Sequence, residues 1–293
     1  MKSDSAHIPV LLHESVDALA VQPSNIVVDG TFGGGGHSKE IHALLKTGLL
    51  ICVDLDEAAE QRFHEQFKKQ AHVVFVHANF KDAETVMKKA GATHVDKVLL
   101  DLGTSTFQLL NDTRGFSFQS DTPLAMTFSE AGSHTGFTAY DIVNTWQEES
   151  IANVIYGYGE ENKSRRIARA IVEARAQAPI ATSNQLAEII AAASPRRGRI
   201  HPATKTFQAL RIAVNDELGS LQEALQAWWQ IVPSGGRISV ITFHSLEDRI
   251  VKQWMKAQSQ GRLITKKPIT PSPSELATNP RARSAKLRTI EKL

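Results

Sequence analysis

The segment from residue 25 to residue 37 constrains the fold of this chain more than any other. A short apolar run ends in an acidic residue and continues into four consecutive glycines, as Asn25-Ile26-Val27-Val28-Asp29-Gly30-Thr31-Phe32-Gly33-Gly34-Gly35-Gly36-His37. Consecutive glycines allow positive φ and let the backbone approach a ligand without an intervening Cβ. A helix predicted near residues 38–46 would aim its unpaired N–H groups at the same place. The segment therefore predicts the first strand and turn of an α/β sheet, with a nucleotide-like ligand at the strand end.

The spacing of these glycines excludes two common nucleotide sites. The dinucleotide fingerprint needs glycines at i, i+2 and i+5, and a phosphate-cradling P-loop needs a following Lys-Ser/Thr pair; neither is present. Asp29 would also repel a pyrophosphate, whereas it suits a ligand with a positive amino group and no phosphate, such as S-adenosylmethionine. The candidate cofactor contacts are Asp29, Gly33, Gly34, Gly35 and Gly36. The alternative is a glycine-rich turn that binds no ligand.

Strands and helices alternate through the first hundred residues, which predicts repeated βαβ units and a parallel sheet. We expect strands near 25–29, 49–54, 72–77 and 95–101, and helices near 38–46, 57–70 and 81–90. Asp54 ends the second strand, about 20 residues after the glycines, where a carboxylate binds ribose hydroxyls. Phe80 follows the third strand and could lie against an adenine ring, and Asp101 ends the fourth. The ends of these strands share one edge of the sheet, where ligands bind in open α/β folds.

The alternation stops after the fourth strand and resumes only near residue 236. Between them we expect helices near 139–156, 160–176 and 183–193, then one long helix over 205–231. Further strands are expected near 236–243, 262–266 and 285–291, with a helix at 246–256 and a proline-rich loop at 268–280. The prediction is an α/β protein with a seven-stranded sheet, formed by residues 1–107 and 205–293, and an inserted helical domain of residues 108–204.

The positive charge of the chain is concentrated in two regions. The formal net charge is only +2, but residues 160–211 carry ten Lys/Arg against four Asp/Glu, and residues 262–292 carry eight against two. Each region therefore has a net charge of +6, which indicates a polyanionic partner. Two solvated helical faces are the alternative.

The rest of the composition bears on compartment. No apolar run reaches the roughly 18 residues that a membrane span needs, and the N-terminus lacks the apolar core of a signal peptide. The single Cys52 cannot form an internal disulfide, and no Cys/His spacing resembles a zinc site. We expect a cytoplasmic protein that needs no metal; the oligomeric state is open.

Six motifs in this order resemble one known family. They are Asp-Gly-Thr-Phe-Gly-Gly-Gly-Gly-His at 29–37, Leu-Leu-Asp-Leu-Gly at 99–103, Arg-Gly-Phe-Ser-Phe at 114–118, His-Pro-Ala-Thr at 201–204, Phe-His-Ser-Leu-Glu-Asp-Arg at 243–249 and Asn-Pro-Arg-Ala-Arg-Ser at 279–284. Together they resemble the bacterial small-subunit ribosomal RNA cytosine-N4 methyltransferases, and the resemblance runs from about residue 7 to residue 292.

The resemblance implies a Rossmann-like methyltransferase sheet with an inserted helical domain, and S-adenosylmethionine as cofactor. The substrate implied is a cytidine of the decoding centre of small-subunit ribosomal RNA, which the enzyme would meet as RNA or within an assembled subunit. By the same resemblance, the cofactor contacts would be Gly35, Gly36, His37, Asp54, Phe80, Asp101 and Gln108.

A cytosine amino group is a poor nucleophile, so the site must hold it and accept its N–H bonds as positive charge develops. Asp101 and Ser105 lie at the expected strand end, and His244, after the fifth strand, could take the proton; the alternative for His244 is to fix a local turn. The predicted phosphate contacts lie in the two basic regions. They are Arg165, Arg166, Arg169, Arg196, Arg197, Arg199, His201 and Lys205, followed by Arg281, Arg283, Lys286 and Arg288.

The chain departs from the family pattern beside the site. Ala125 and Thr127 stand where the family usually has an aspartate and an arginine, and Thr106-Phe107 stands where Ser-Pro is usual. Two alternative functions stay open, and the departures at Ala125 and Thr127 motivate the second. One is methylation of another nucleic-acid target, and the other is a ribosome-binding protein that has lost turnover.

Overall fold

The computed structural model describes residues 8–68, 70–103, 113–119, 121–129, 136–195 and 201–293. Its strands are β1 Ile26–Asp29, β2 Leu49–Asp54, β3 Val73–His77, β4 Lys97–Asp101, β5 Arg237–Thr242, β6 Gly261–Leu263 and β7 Lys286–Lys292. They form one sheet in the order β3-β2-β1-β4-β5-β7-β6. The α/β class and the seven strands predicted from the sequence are confirmed.

The first five strands are parallel, and β7 runs antiparallel between β5 and β6. β1 lies in the middle of the parallel part, with β2 on one side and β4 on the other. The chain moves outward from β1 through β2 to β3 and then returns to β4 on the opposite side. This reversal opens a crevice at the carboxyl ends of β1 and β4, the position where doubly wound sheets bind ligands.

Helices alternate with the strands of the sheet, and further helices form the segment between β4 and β5. Within the described residues they are α1 Leu12–Leu19, α2 Gly36–Leu44, α3 Glu57–Phe67, α4 Ala83–Ala90, α5 Ala139–Thr145, α6 Glu148–Gly159, α7 Ser164–Arg175, α8 Ser183–Ala193, α9 Thr204–Asn215, α10 Glu217–Ile231, α11 Ser245–Ala257 and α12 Pro273–Thr278.

Two helices predicted as single are broken in the structure. The helix expected over 205–231 divides into α9 and α10 at Asp216, which has a φ of 45°. The left-handed region is costly for a residue with a Cβ, so a helical sequence pattern does not reveal this break. The helix expected over 139–156 divides into α5 and α6 at Trp146, whose backbone is extended.

The proline-rich segment predicted as a loop contains a helix. α12 begins with Pro273 at its first turn, and the hydroxyl of Ser272 accepts a hydrogen bond from the N–H of Glu275 at 3.1 Å. A proline at the first helical position is favoured, since its missing N–H would be unpaired there in any case. The sequence therefore contained a helix-start signal within the predicted loop. α1 was also missed.

The chain divides into two compact units, Met1–Thr106 with Leu218–Leu293, and Phe107–Glu217. We call them the sheet unit and the helical unit. The second boundary lies one helix later than the predicted boundary at residue 205. The helical unit has its own apolar core, in which α6, α7 and α9 bury residues such as Ile155, Ile167 and Phe207.

The sheet unit is closed by apolar cores on the two faces of the sheet. One face packs against α10 through Trp228 and Trp229, which are both buried. Both tryptophans are therefore core residues of the sheet unit. No helix among the described residues is both long and apolar enough to cross a membrane.

Candidate functional site

The glycine segment forms a tight loop between β1 and α2. A Cβ at Gly30 would lie 2.5 Å from a methyl carbon of Leu100 and 3.2 Å from the Cβ of Phe80, so only glycine fits there. Gly33 and Gly35 have φ values of 54° and 74°, in the left-handed region that glycine adopts without strain. Gly35 is the N-cap of α2, and no side chain caps this helix. The loop therefore presents the first-turn N–H groups of α2 at the end of β1.

Side chains from α3 and β2 hold the loop from outside. Arg62 donates to the carbonyl of Gly33 and Gln66 to that of Gly35, both at 2.9 Å. Asp54 accepts from the N–H of Gly33 at 2.8 Å with one oxygen, and from the N–H of Asp56 at 2.9 Å with the other. Burial raises the pKa of Asp54, although both hydrogen bonds oppose it. Sequence reasoning missed Arg62 and Gln66; their i, i+4 spacing on one helix face was the only available signal.

Asp29 is buried beneath this loop. Its side chain accepts from the hydroxyl of Ser38 at 2.6 Å and from the N–H of Thr31 at 3.2 Å. The residue is only 1% exposed, and burial raises its pKa to about 6, against the lowering effect of the Ser38 and Thr31 hydrogen bonds. In the structure Asp29 fixes the loop, and its predicted contact with a cofactor stays a prediction.

Asp101 is the carboxyl group of the site that retains an unused oxygen. Its backbone N–H donates to the hydroxyl of Thr31 at 2.6 Å, which joins the ends of β4 and β1. Its Oδ1 is buried and has no hydrogen-bond partner within the described part of the chain. Burial raises the pKa of Asp101 well above its ordinary value, and the charges of Asp29 and Glu247 raise it further. A buried acceptor without a partner is costly, so this oxygen indicates a place for a ligand group.

His37 lies beside Asp101 and also holds the N-terminal segment. Its Nε2 is 3.1 Å from the carbonyl oxygen of Val10, and its Nδ1 is 3.6 Å from Oδ2 of Asp101. Burial lowers its pKa to about 4, against the raising effect of the Val10 carbonyl. The imidazole is therefore neutral near pH 7. Because a carbonyl only accepts, the proton is on Nε2, and Nδ1 is an acceptor facing Asp101.

The N-terminal segment was missed as part of the site. Pro9 lies so close to Gly36 that a Cβ on this glycine would be 2.1 Å from the Cγ of Pro9. The N–H of Leu11 donates to Glu275 of α12 at 2.8 Å. Leu11 is fully buried and has a φ of 52°, which is strained for a leucine. The segment thus connects the glycine loop to the C-terminal helix.

Phe80 lies at the same sheet edge, as predicted. Its Cβ faces Gly30, and its carbonyl accepts a 2.8 Å hydrogen bond from the indole N–H of Trp228. The buried indole of Trp228 therefore fixes the loop that carries the candidate adenine contact.

His244 caps α11. Its Nδ1 accepts from the N–H of Glu247 at 3.4 Å, and the Glu247 carboxylate accepts from the N–H groups of Phe243 and His244 at 2.7 and 3.2 Å. This reciprocal capping box fixes the turn after β5. His244 therefore fixes the local turn in this structure, which was the alternative to a catalytic role. Its catalytic role stays a prediction.

Of the basic residues predicted to contact RNA, five lie in the described part of the helical unit. Arg165, Arg166 and Arg169 are exposed on α7, and Arg169 lies 3.8 Å from Glu148. Lys205 donates to the carbonyl of Glu160 at 2.8 Å. His201 is half-buried and stacks on Phe118, with ring centroids 4.5 Å apart.

The second basic region divides into exposed and paired residues. Arg281 and Arg283 are exposed in the short turn of Pro280–Ser284. Arg288 is buried and donates to Asp248 at 2.7 Å, and Lys286 donates to the same carboxylate at 3.0 Å. The phosphate contact predicted for Arg288 is therefore wrong, because its buried side chain neutralises the carboxylate of Asp248 on α11.

Ser105, Gln108, Arg196, Arg197 and Arg199 lie outside the described residues. Gly34 is half-buried in the glycine loop.

The two departures from the family pattern lie in a segment that packs within the helical unit. The N–H of Ala125 donates to the carbonyl of Arg114 at 3.2 Å. Thr127 is buried and donates to the carbonyl of Ser129 at 2.9 Å.

The charge of the site determines which ligands fit. Asp29, Asp54 and Asp101 end three neighbouring strands, and burial raises the pKa of each. A cationic ligand group would offset this cost, whereas a phosphate would add to it. The residues therefore fit a small cationic cofactor approached by a glycine loop, and S-adenosylmethionine has this chemistry.

The sequence matches the MraW methylase family over residues 4–293. It is 46% identical over 289 residues to the ribosomal RNA small subunit methyltransferase H of Deinococcus deserti, covering 98% of this chain and 93% of that protein. It is 47% identical to the protein of the same name from Deinococcus radiodurans, covering 98% and 90%, and 43% identical to that from Clostridioides difficile, covering 98% and 99%. The match spans both units and the positions of all six sequence motifs, so the chain belongs to the MraW methylase family.

Proposed function

We propose that this protein is an S-adenosylmethionine-dependent methyltransferase of small-subunit ribosomal RNA, and that it methylates the N4 amino group of a decoding-centre cytidine. The family and the names of its close relatives support the reaction and the class of RNA. The motif resemblance supports the cytosine and its position. The cytoplasmic location stays a prediction.

This proposal rests on Oδ1 of Asp101, which has no hydrogen-bond partner among the described residues. It lies at the carboxyl end of β4, beside the glycine loop and next to a neutral histidine. S-adenosylmethionine, when bound, supplies a methyl group activated by a sulfonium. The chain must then hold the amine and accept its hydrogens.

Because Oδ1 of Asp101 has no partner within the part of the chain that the structure describes, it can accept a hydrogen bond from the exocyclic amine. This bond strengthens as positive charge develops on the nitrogen, which favours the transition state over the ground state. Asp29 and Glu247 place negative charge near Asp101, which also favours a developing cation. Nδ1 of His37 faces the other oxygen of Asp101 and is a further acceptor for a proton on this carboxyl group.

The helical unit supplies the surface proposed for RNA. The exposed arginines of α7 and the exposed Lys205 would contact phosphates, which fix the position of the RNA without reading its sequence. We therefore assign substrate recognition to the helical unit and cofactor binding to the sheet unit.

Transfer of tritium from labelled S-adenosylmethionine to small ribosomal subunits tests the reaction and the substrate together. The subunits come from a strain that lacks the family's enzyme, and the labelled nucleoside is identified by mass spectrometry. N4-methylated cytidine at one decoding-centre position is the expected result.

The same assay separates the two alternatives. Label in DNA or at another ribosomal RNA position would favour a different nucleic-acid target. No transfer, together with tight cofactor binding by calorimetry, would favour a binding protein without turnover. Ala125 and Thr127 would then be the first positions to restore to the family residues.

A further inference from the structure

Exposed aromatic rings are confined to one unit of this protein. Among the described residues, the phenylalanine, tyrosine and tryptophan side chains that are exposed are Phe137, Tyr140, Tyr156 and Tyr158. All four belong to the helical unit. Tyr156 is the most exposed of them, at 62%. The aromatic residues of the sheet unit are at least partly buried, so exposure of rings is a specific property of the helical unit.

The helix surface at Gly157, the residue that follows Tyr156, is open. Gly157 lies inside α6, and a Cβ added to it would meet no atom within 4 Å. Glycine destabilises a helix interior relative to alanine, and nothing in the packing of this unit requires it here.

Positive charge lies at the connection that follows. α6 ends at Gly159 and α7 begins at Ser164, so four residues join them. Arg165 and Arg166 are exposed in the first turn of α7. The ammonium group of Lys205 lies at the same connection, bonded to the carbonyl of Glu160.

Helix stability does not explain these arginines. The first turn of α7 contains no acidic residue, and the N-terminus of a helix disfavours cations. Arg169 is one turn further along, and like charges at i, i+3 and i, i+4 repel one another. Glu161 precedes Arg165 by four residues, and its carboxylate accepts a hydrogen bond from the backbone N–H of Lys163 at 2.9 Å.

We propose that this α6–α7 corner, formed by Tyr156, Gly157, Arg165, Arg166 and Lys205, binds an unpaired segment of RNA. One base stacks on the exposed ring of Tyr156, and the cations contact the adjoining phosphates. An exposed ring beside exposed cations is the combination that single strands use, because a duplex hides the faces of its bases. This inference rests on the proposed function, since it names the form of RNA that the helical unit takes.

Fluorescence anisotropy of the full chain with two labelled probes tests the corner. The probes are an oligoadenylate of about 12 nucleotides, which fits the usual site size, and an RNA duplex of equal length. Tyr156→Ala should weaken binding of the single strand at least about five-fold and leave the duplex unchanged. Tyr156→Phe keeps the ring and should bind as the wild type does.

Salt dependence separates stacking from charge. Replacing both Arg165 and Arg166 with glutamine should lower the slope of log K against log salt by about 1.4, from about 0.7 for each phosphate contact of a single strand. Tyr156→Ala should leave this slope unchanged. The matched control replaces Lys252 and Lys256, which are exposed on α11 of the sheet unit, with glutamine and should leave the slope unchanged.

Methylation kinetics then separate this inference from the proposed function. Tyr156→Ala should raise KM for the ribosomal subunit more than it lowers kcat, with unchanged cofactor affinity. A wild-type protein that methylates no subunit would refute the proposed function. The oligonucleotide measurements would still test whether the α6–α7 corner binds single-stranded RNA. Equal losses for single strand and duplex, or a Tyr156→Ala variant that binds the single strand as tightly as the wild type, would overturn the inference.

Discussion

Replacing Asp29 with asparagine should make the folded protein more stable at neutral pH. Burial raises the pKa of Asp29 to about 6 in the folded state, from 3.8. The folded protein therefore holds this proton more tightly than the unfolded chain, so ionisation of Asp29 costs stability as pH rises from about 4 to about 6 and stays costly above that range. Asparagine is neutral at every pH. Its amide can accept from the N–H of Thr31 and donate to Ser38, whose hydroxyl hydrogen can turn to Cys52 at 3.2 Å.

The size of the effect follows from the two pKa values. At about 1.4 kcal/mol for each tenfold change, a rise from 3.8 to about 6 makes ionised Asp29 cost about 3 kcal/mol above pH 7. At about pH 4.5 the cost is only about 1 kcal/mol, because the carboxyl group is largely protonated in the folded state. The difference in unfolding free energy between Asp29→Asn and the wild type should therefore increase by about 2 kcal/mol from about pH 4.5 to about pH 8. A constant offset from the amide itself cancels in this comparison.

Urea unfolding followed by tryptophan fluorescence measures this difference, since Trp228, Trp229 and Trp254 are all buried in the sheet unit. Asp248→Asn is the control with the opposite sign. Burial opposes ionisation of Asp248, but the hydrogen bonds from Arg288 and Lys286 outweigh it and lower its pKa. This variant should lose roughly 3 kcal/mol at neutral pH, because it leaves Arg288 buried without its counter-ion. A free-energy difference for Asp29→Asn that is the same at both pH values would refute the reasoning.

Three further predictions concern the site. Gly36→Ala should displace the N-terminal segment, because the new Cβ would lie 2.1 Å from the Cγ of Pro9; calorimetry should show weaker cofactor binding, and unchanged binding would contradict the role of this contact. Trp228→Phe should cost about 2 kcal/mol or more and weaken cofactor binding, because the carbonyl of Phe80 loses its indole donor. Trp229→Phe, which removes similar volume without that hydrogen bond, is its control in the same unfolding and binding assays. The preference for S-adenosylmethionine over its product S-adenosylhomocysteine, which lacks the sulfonium charge, should increase between about pH 5 and about pH 8, because Asp29, whose pKa is raised to about 6, ionises in this range. A preference independent of pH would contradict a sulfonium bound near this carboxylate.

The strands and the glycine loop were predictable because their signals are local. Apolar runs that end in Asp29, Asp54 and Asp101 marked three neighbouring strand ends, and parallel strands bring such ends to one edge. A positive φ at Gly33 follows from the same short segment. Helix breaks were not predictable, because Asp216 continues a helical pattern while its backbone leaves the helical region.

The partners of the site residues were decided by the tertiary structure alone. His37 contacts Val10 and Asp101. The N–H of Leu11 donates to Glu275, which is 264 residues away in the sequence. Arg288 looked like part of a basic surface until the fold buried it against Asp248.

The sequence by itself therefore determined which elements form and where their polar ends lie, because periodicity and turn chemistry depend on neighbouring residues. Only the folded chain decided which of these ends retains an unused acceptor. Among the described residues that acceptor is Oδ1 of Asp101, whereas the carboxylates of Asp29 and Asp54 accept hydrogen bonds from Thr31, Ser38 and Gly33. Such a distribution depends on contacts between distant residues, which no local pattern encodes.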